Sequence, residues 1–287
     1  MVAKALTTRP ADALWEQGRH YLAGTGRAAA AARARELAGS SMACNIGWLT
    51  GVAADASTAA TNTAGYARLA ALLGDLPATT WLEADAPHLG VDVSPELCLR
   101  NLRIVAESLP SGRFIQIGAE DASRTDAVLG TVLAAHRQGL PVRATVQANL
   151  HRSEEDVERL IHAGIPVRLV KGGFRETAAT ALQDPAHIDT AYLRYARRIA
   201  AAGVPLTLAT HDARMWRQSL PALSGTPVEM LLGVLPGEAR RLRAAGVPVR
   251  LYVPFGTDWQ GYVAKRVSDA EAAGVCGHAA TYEERGE

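Results

Sequence analysis

Apolar residues recur along this chain in short runs that break at a glycine or a polar position and give way to longer stretches of helical spacing. Four segments repeat one arrangement: H-R-Q-G-L-P-V-R-A-T-V-Q (136–147), H-A-G-I-P-V-R-L-V-K (162–171), A-A-G-V-P-L-T-L-A-T-H (201–211) and A-A-G-V-P-V-R-L-Y-V-P (244–254). Each reads as a helix end, a glycine able to take positive φ, an apolar residue, a proline that forbids helix, and then a strand. The glycines stand 25, 39 and 43 residues apart, the length of a strand-plus-helix unit with variable loops. Strands are expected at 43–49, 79–82, 113–117, 142–147, 167–171, 206–210, 228–232 and 249–253. Between them, a helix is expected over 57–73 with Ser57 or Thr58 as cap. Another opens at Ser94-Pro95-Glu96 with Leu97, Leu99, Leu102 and Val105 as its apolar face, and a third spans 122–137.

Repeated strand-helix units imply a parallel sheet. Eight of them in 287 residues, with no G-x-G-x-x-G after the first strand, favour an α/β fold of the closed (β/α)8 TIM-barrel type over an open doubly wound sheet. Residues 1–40 read as an N-terminal helical segment carrying Trp15, Tyr21 and Leu22 and then the Ala/Arg-rich run from Arg27 to Leu37. The barrel is expected over 41–273, and 274–287 as a disordered tail.

Charge narrows the possibilities. Thirty basic residues against 29 acidic leave a formal +1, which argues against a general attraction to nucleic acid or to an anionic membrane. No run approaches the ~18 continuous apolar residues of a membrane span, and no secretory cleavage pattern opens the chain. Cys44, Cys98 and Cys276 are odd in number and widely spaced, which suits a reducing cytoplasm and suggests neither a disulfide framework nor structural zinc.

A barrel carries its active site at the carboxyl ends of its strands. The residues there are Asp85, Gly118 to Asp121, Gln147, Asn149, Lys171 to Phe174, Thr210, His211 and Tyr252 to Gly256. In V-R-L-V-K-G-G-F-R-E (167–176), Arg168 and Lys171 are three apart, so a regular strand would send them to opposite faces unless Lys171 lies beyond its end. Gly172 and Gly173 leave the backbone open to a ligand, although a strand end solvated by Lys171 explains the decapeptide equally well. If a helix starts at Asp258, Trp259, Tyr262 and Arg266 share a face that can look into the barrel mouth. Lys265 and Arg266 there would hold a carboxylate or phosphate, or else form a solvated basic edge. Glu120-Asp121 is read as a helix cap and Thr210-His211-Asp212 as a strand end with a capping histidine. The eight histidines show no paired spacing, so no metal site is expected.

V-R-L-V-K-G-G-F and Y-V-P-F-G-T-D-W-Q-G-Y-V-A-K-R-V (252–267) resemble signatures of the proline dehydrogenase family, whose members are FAD-dependent (β/α)8 enzymes. A-E-D-A-S-R-T-D, V-Q-A-N-L-H-R-S-E-E-D, L-A-T-H-D and V-E-M-L-L-G match family segments in the same order, so the resemblance runs in register from about Leu89 to Arg266. It implies that Arg168 lies near flavin N5 and that Gln147 hydrogen-bonds the isoalloxazine. It also implies that Lys171, Gly172, Gly173, Thr210 and His211 lie on the ribityl-pyrophosphate side. A cation beside the ring suits the anion that forms when hydride arrives.

The substrate positions depart from the family pattern. Asp85 stands where the family has lysine, Gly118 where it has aspartate, Lys265-Arg266 where it has two arginines, and Phe174 where it has an aromatic hydroxyl; Tyr252 is kept. An ammonium lacks the fork of a guanidinium, and Gly118 is expected to make room. These changes suggest a dehydrogenase for a larger or more cationic amine-bearing acid, or a related nitrogen compound of specialised metabolism, rather than free proline. Arg168, Tyr252 and Asp85 are the expected catalytic residues, and quinone or oxygen the acceptor. A catalytically inactive flavin-binding partner protein is the alternative, and a flavin-free barrel using Lys171 as a Schiff-base lysine a third.

Overall fold

The computed structural model describes residues 10–272. Eight parallel strands, β1 (Ala43–Trp48), β2 (Thr80–Ala84), β3 (Ile115–Ile117), β4 (Val142–Gln147), β5 (Val167–Val170), β6 (Leu206–Ala209), β7 (Val228–Leu231) and β8 (Val249–Phe255), close in chain order into a barrel. The ring is sealed by six register pairs from Ala43↔Arg250 to Trp48↔Phe255. Gly139, Gly164, Gly203 and Gly246, the glycines of the four repeated segments, sit at φ between +69° and +80°, which bears out their reading as helix stops.

Around the barrel lie α1 (Ala11–Gly18), α2 (Arg27–Gly39), α3 (Ala56–Leu72), α4 (Pro95–Glu107), α5 (Thr125–Arg137), α6 (Ser153–Ala163), α7 (Pro185–Ala201), α8 (Ala213–Ser219), α9 (Pro236–Ala244) and α10 (Gln260–Ala272). The N-terminal segment is thus two helices, broken over Leu22–Gly26, with residues 1–9 outside the described part. Asp55 rather than Ser57 or Thr58 caps α3, its carboxylate accepting from the Thr58 amide at 2.7 Å. A 3-10 turn at Ala122–Arg124 precedes α5. The sequence range 274–287 and Cys276 lie outside the described residues. Cys44 and Cys98 are free and buried.

Two placements shape the mouth. The buried Ala30, Ala31, Ala34 and Leu37 let α2 lie close against β1 and β8, covering the seam. The last helix, α10, packs instead on α1, where Trp15 and Trp259 meet edge to face at 5.0 Å and Leu14, Tyr21, Leu22, Val263 and Val267 form a small separate core. A side chain at Gly18 would collide with Val263, so that contact is made at backbone distance.

The outward residues of the strands (Ile46, Leu82, Ile115, Ala144, Val167, Leu208, Val228, Val253) are buried under the helices. The interior differs from the aliphatic filling usual in this fold. Arg168 on β5 reaches Glu83 on β2 and Glu229 on β7, Asn45 on β1 reaches Glu229, and Arg143 on β4 reaches Thr207 on β6. Bonds between strands that are not neighbours can only cross the inside of the ring. Arg250 completes this polar core, its guanidinium carbon 3.4 Å from the Trp81 ring centre.

Candidate active site at the carboxyl ends of the strands

Arg168 points into the barrel, and Lys171 lies just beyond the end of β5, the other outcome its spacing allowed, with its ammonium on Asp189 and Asp212. The guanidinium is 7% exposed and fully engaged on one edge: Nη1 to Glu83 Oε2 at 2.8 Å, Nη2 to Glu83 Oε1 at 2.7 Å, Nη1 to Glu229 Oε1 at 2.7 Å, and Nε to Thr145 Oγ1 at 3.1 Å. Four of its five N–H groups are therefore held within the protein, and one on Nη2 is left. Burial acts to lower this guanidinium, and the two carboxylates outweigh it and hold it charged. Burial pushes Glu83 up to about 7 even though Arg168 pulls the other way, because Glu229 and Asp85 add like charge. The expected cation near a flavin is thus a cation already matched by two acids. Glu83 and Glu229 were not among the expected site residues. Glu83 stands on β2 two residues before Asp85, which lies just past the strand's end, so the period of two that turns Glu83 inward could have flagged it from the sequence.

Asp85 and Gly118 interlock. A Cβ at Gly118 would run into Asp85 Oδ1, so the room left by the glycine is filled by the aspartate and not open to substrate, contrary to the sequence expectation. Glu120 lies beside it, pushed up to about 8 by burial and then by Asp85, with Arg124 opposing. Neither carboxylate has a hydrogen-bond donor or ion-pair partner among the described residues. Asp121 caps the following turn, accepting from the Ser123 amide at 3.0 Å, which agrees with its reading as a cap.

Tyr252 fills the space above Gly47, where any side chain would strike its ring. Burial, then Glu83 and Asp85, drives its hydroxyl well above the usual phenol range. Tyr262 on α10 packs edge to face with it at 6.0 Å, and the Tyr262 hydroxyl is buried without a partner. Arg266 lies 5.5 Å from the Tyr262 ring centre and pairs with Asp269 at 2.8 Å, leaving its Nε buried and unpartnered. Lys265 is the neighbour on the other side: its side chain is 54% exposed against 15% for Arg266, and its ammonium also turns to Asp269, at 3.3 Å. Consecutive residues on a helix differ by about 100°. The two cations therefore do not form a clamp together, and the expectation for Lys265 is corrected in favour of Arg266 with Tyr262.

On the β4–β6 side, the Gln147 amide bridges two loops, accepting from Gly173 N at 3.0 Å and donating to Glu120 O at 2.8 Å. Beside it opens a cavity of about 440 Å³ lined by Asn149, Lys171, Gly172, Phe174, Glu176 and Leu182. Phe174 stands at its rim, 40% exposed. Asn149 Oδ1 is buried there without a partner, and a Cβ on Gly172 would collide with that amide. Lys171 forms ion pairs with Asp189 and, at 3.0 Å, with Asp212. An ammonium engaged by two carboxylates is not the free amine that Schiff-base chemistry needs. Thr210 Oγ1 accepts from the Asp212 amide at 3.1 Å, and burial takes His211 down to about 4, leaving a neutral ring whose Nε2 accepts from Leu231 N at 3.0 Å.

Gly172 has φ +150°, so Gly172→Ala combines backbone strain with the collision at Asn149. Urea unfolding is expected to show a loss of roughly 1–3 kcal/mol; an unchanged midpoint would mean the loop re-forms freely.

The model of a known family, described as proline dehydrogenase, matches residues 30–263. The chain belongs to the proline dehydrogenase family. Relatives within it include proline dehydrogenase 1 of Bacillus subtilis strain 168, 29% identical over 192 residues that make up 64% of each chain. Proline dehydrogenase of Deinococcus radiodurans is 32% identical over 176 residues, 58% of this chain and 57% of that one. The chain thus spans somewhat under two thirds of the length of these relatives. Among solved structures, proline utilization A from Bdellovibrio bacteriovorus superposes with a TM-score of 0.78 over 90% of this chain and 33% of that one, at 17% identity, a likeness of fold. Family membership and the closed barrel agree with the resemblance seen in the motifs. Among the described residues no helix is long and apolar enough to cross a membrane.

Proposed function

We propose that this chain is a flavin-dependent dehydrogenase that removes hydride from a carbon next to nitrogen, with FAD as the flavin. The observation that carries the reading is the placement of Gln147, Arg168 and Thr210-His211 on or just beyond three adjacent strands, β4, β5 and β6, with the 440 Å³ cavity opening past the carboxyl ends of β4 and β5 on Asn149, Lys171 and Gly172. The site suits such a group: an orphaned amide oxygen on Asn149, bare backbone at Gly172 and Gly173, and one unengaged N–H on Arg168 all offer polar contacts. FAD, when bound, supplies the electron sink. The chain's residues supply position: Gln147 locks the Gly173 loop against Glu120, Lys171 ties β5 to α7 and α8, and Phe174 shields the rim.

The substrate reading rests on charge. Asp85 presents a carboxyl group with no ion pair or hydrogen bond among the described residues, and Glu120 beside it adds a second negative charge as pH rises through about 8, which suits a cationic amine, while Arg266 and the Tyr262 hydroxyl suit an acidic or polar group at its far end. In the reaction the bound ammonium would first release a proton to solvent, which frees the nitrogen lone pair; the C–H electron pair would then leave with hydrogen as hydride for the flavin while that lone pair closes a C=N bond, giving an iminium. Free proline lacks the extra positive charge this wall favours, so a larger or more cationic amine acid is proposed as substrate, with quinone or oxygen as acceptor and the cytoplasm as the location.

Protein purified with added FAD is expected to be yellow, and its flavin bands to bleach anaerobically with a cationic amine acid and slowly or not at all with proline. A colourless protein ends the flavin reading; rapid bleaching by proline ends the substrate reading alone.

A further inference from the structure

Resting on the flavin reading above, we propose that Glu83 is a positioning residue for this reaction: by chelating Arg168 it fixes which N–H remains for the flavin and cancels the guanidinium charge, and so sets the flavin's reduction potential.

The geometry gives Glu83 a larger part than Glu229. Glu83 grips Arg168 with two parallel bonds, 2.8 and 2.7 Å, the bidentate arrangement that fixes the plane of a guanidinium. Glu229 adds a single bond at 2.7 Å. With Thr145 on Nε, the chelate decides that the unengaged hydrogen is on Nη2. Loss of Glu83 would free the plane to rotate about the Glu229 and Thr145 contacts.

The second carboxylate on one guanidinium also has an electrostatic consequence. Two acids share the Arg168 guanidinium, although Arg250 and Arg143 also act on Glu229 from the same interior, and burying each of these charges costs desolvation, a cost that tends to mark functional positions. Glu83 is faced by Asn45 from β1 at 3.4 Å, Arg168 from β5, Glu229 from β7, Arg250 and Tyr252 from β8, Tyr66 from α3, Tyr262 from α10, and Asp85 on its own strand. Glu83 is thus faced by two carboxylates and two arginines, with Arg143 a third buried arginine acting on Glu229, and the Arg168, Glu83 and Glu229 trio taken alone carries −1 when Glu83 is ionised and zero when it holds a proton. Burial brings that change to about pH 7. Negative charge arriving on the flavin is opposed by the ionised trio and not by the protonated one, so the potential is low above this pH and rises below it.

The test is the midpoint potential of the FAD-loaded full chain, measured against reference dyes for the wild type, Glu83→Gln and Glu83→Asp. Glu83→Gln removes the charge and half of the chelate; its midpoint at pH 8 is expected to rise by at least the equivalent of a tenfold change in the couple, about 30 mV for two electrons. Glu83→Asp keeps the charge and is expected to stay near the wild type. The wild-type midpoint is expected to change slope with pH near 7, and that of Glu83→Gln to run straight. A yellow Glu83→Gln protein with an unmoved midpoint overturns the inference. If Glu83→Gln does not hold FAD, the wild-type titration decides, and a constant slope from pH 6 to 8 overturns it. A wild type that takes up no FAD removes the flavin reading itself, a result visible before any potential is measured.

Discussion

Arg168→Met is expected to destabilise the fold by about 3–5 kcal/mol, the scale for removing one partner of a buried ion pair. Methionine fills much of the same volume, so the loss comes from charge and not from a cavity. Glu83 and Glu229, 7% and 4% exposed, would be left with the Asn45 amide as their shared hydrogen-bond donor and with Arg250 and Arg143 as more distant cations. The deficit should depend on pH, and its sign follows from Glu83. Its folded value, about 7, lies above that of a free carboxylate at about 4.3, so ionising it in place opposes folding. The native state is favoured below the unfolded value, and this contribution is lost as pH rises from there through about 7. Removing Arg168 removes the chief influence holding Glu83 down, so the loss grows and extends to higher pH. Urea unfolding should therefore show a smaller deficit at pH 5 than at pH 8. A deficit under 1 kcal/mol, or one equal at both pH values, would mean that the trio is not electrostatically coupled to folding.

That trio also marks where the sequence stopped being legible. The barrel can be read from local chemistry, because a glycine stop and a proline before each of four strands act within a few residues of each other, and all four glycines take the positive φ that reading requires. The strand ends follow, and with them Asp85, Gly118, Gln147, Lys171, Thr210 and Tyr252 as residues at the mouth. Which of them touch is a matter of closure. Residues 83, 168 and 229 meet only because β2, β5 and β7 face across a ring, and nothing in the local pattern of any one strand says so. Gly118 was legible as missing bulk, but not as the seat of Asp85. Helix phase sets Lys265 and Arg266 apart in any sequence; which one looks inward is decided by α10 docking on α1 through Trp15 and Trp259, a contact between opposite ends of the chain.

Asp85→Asn should lower kcat/KM roughly 10- to 100-fold for whichever cationic amine reduces the wild-type flavin, the scale of one hydrogen bond to a charged group at 1.5–3 kcal/mol. The effect should fall mainly on KM, because the carboxylate meets the amine before and during hydride loss alike. Asparagine has nearly the same shape, so the fit over Gly118 is retained and the change isolates charge. Glu120 supplies the second readout. At about 8 its value is held up first by burial and then by Asp85, so the wall gains a second negative charge as pH rises through 8, while an amine stays cationic to roughly pH 10. Wild-type kcat/KM is expected to climb between pH 7 and 9. Without the Asp85 charge the value of Glu120 falls, and the climb should move to lower pH. The amine's own titration is common to both proteins and cannot produce that displacement. A climb at the same pH in both, or a fall in kcat with KM unchanged, would place Asp85 outside amine recognition.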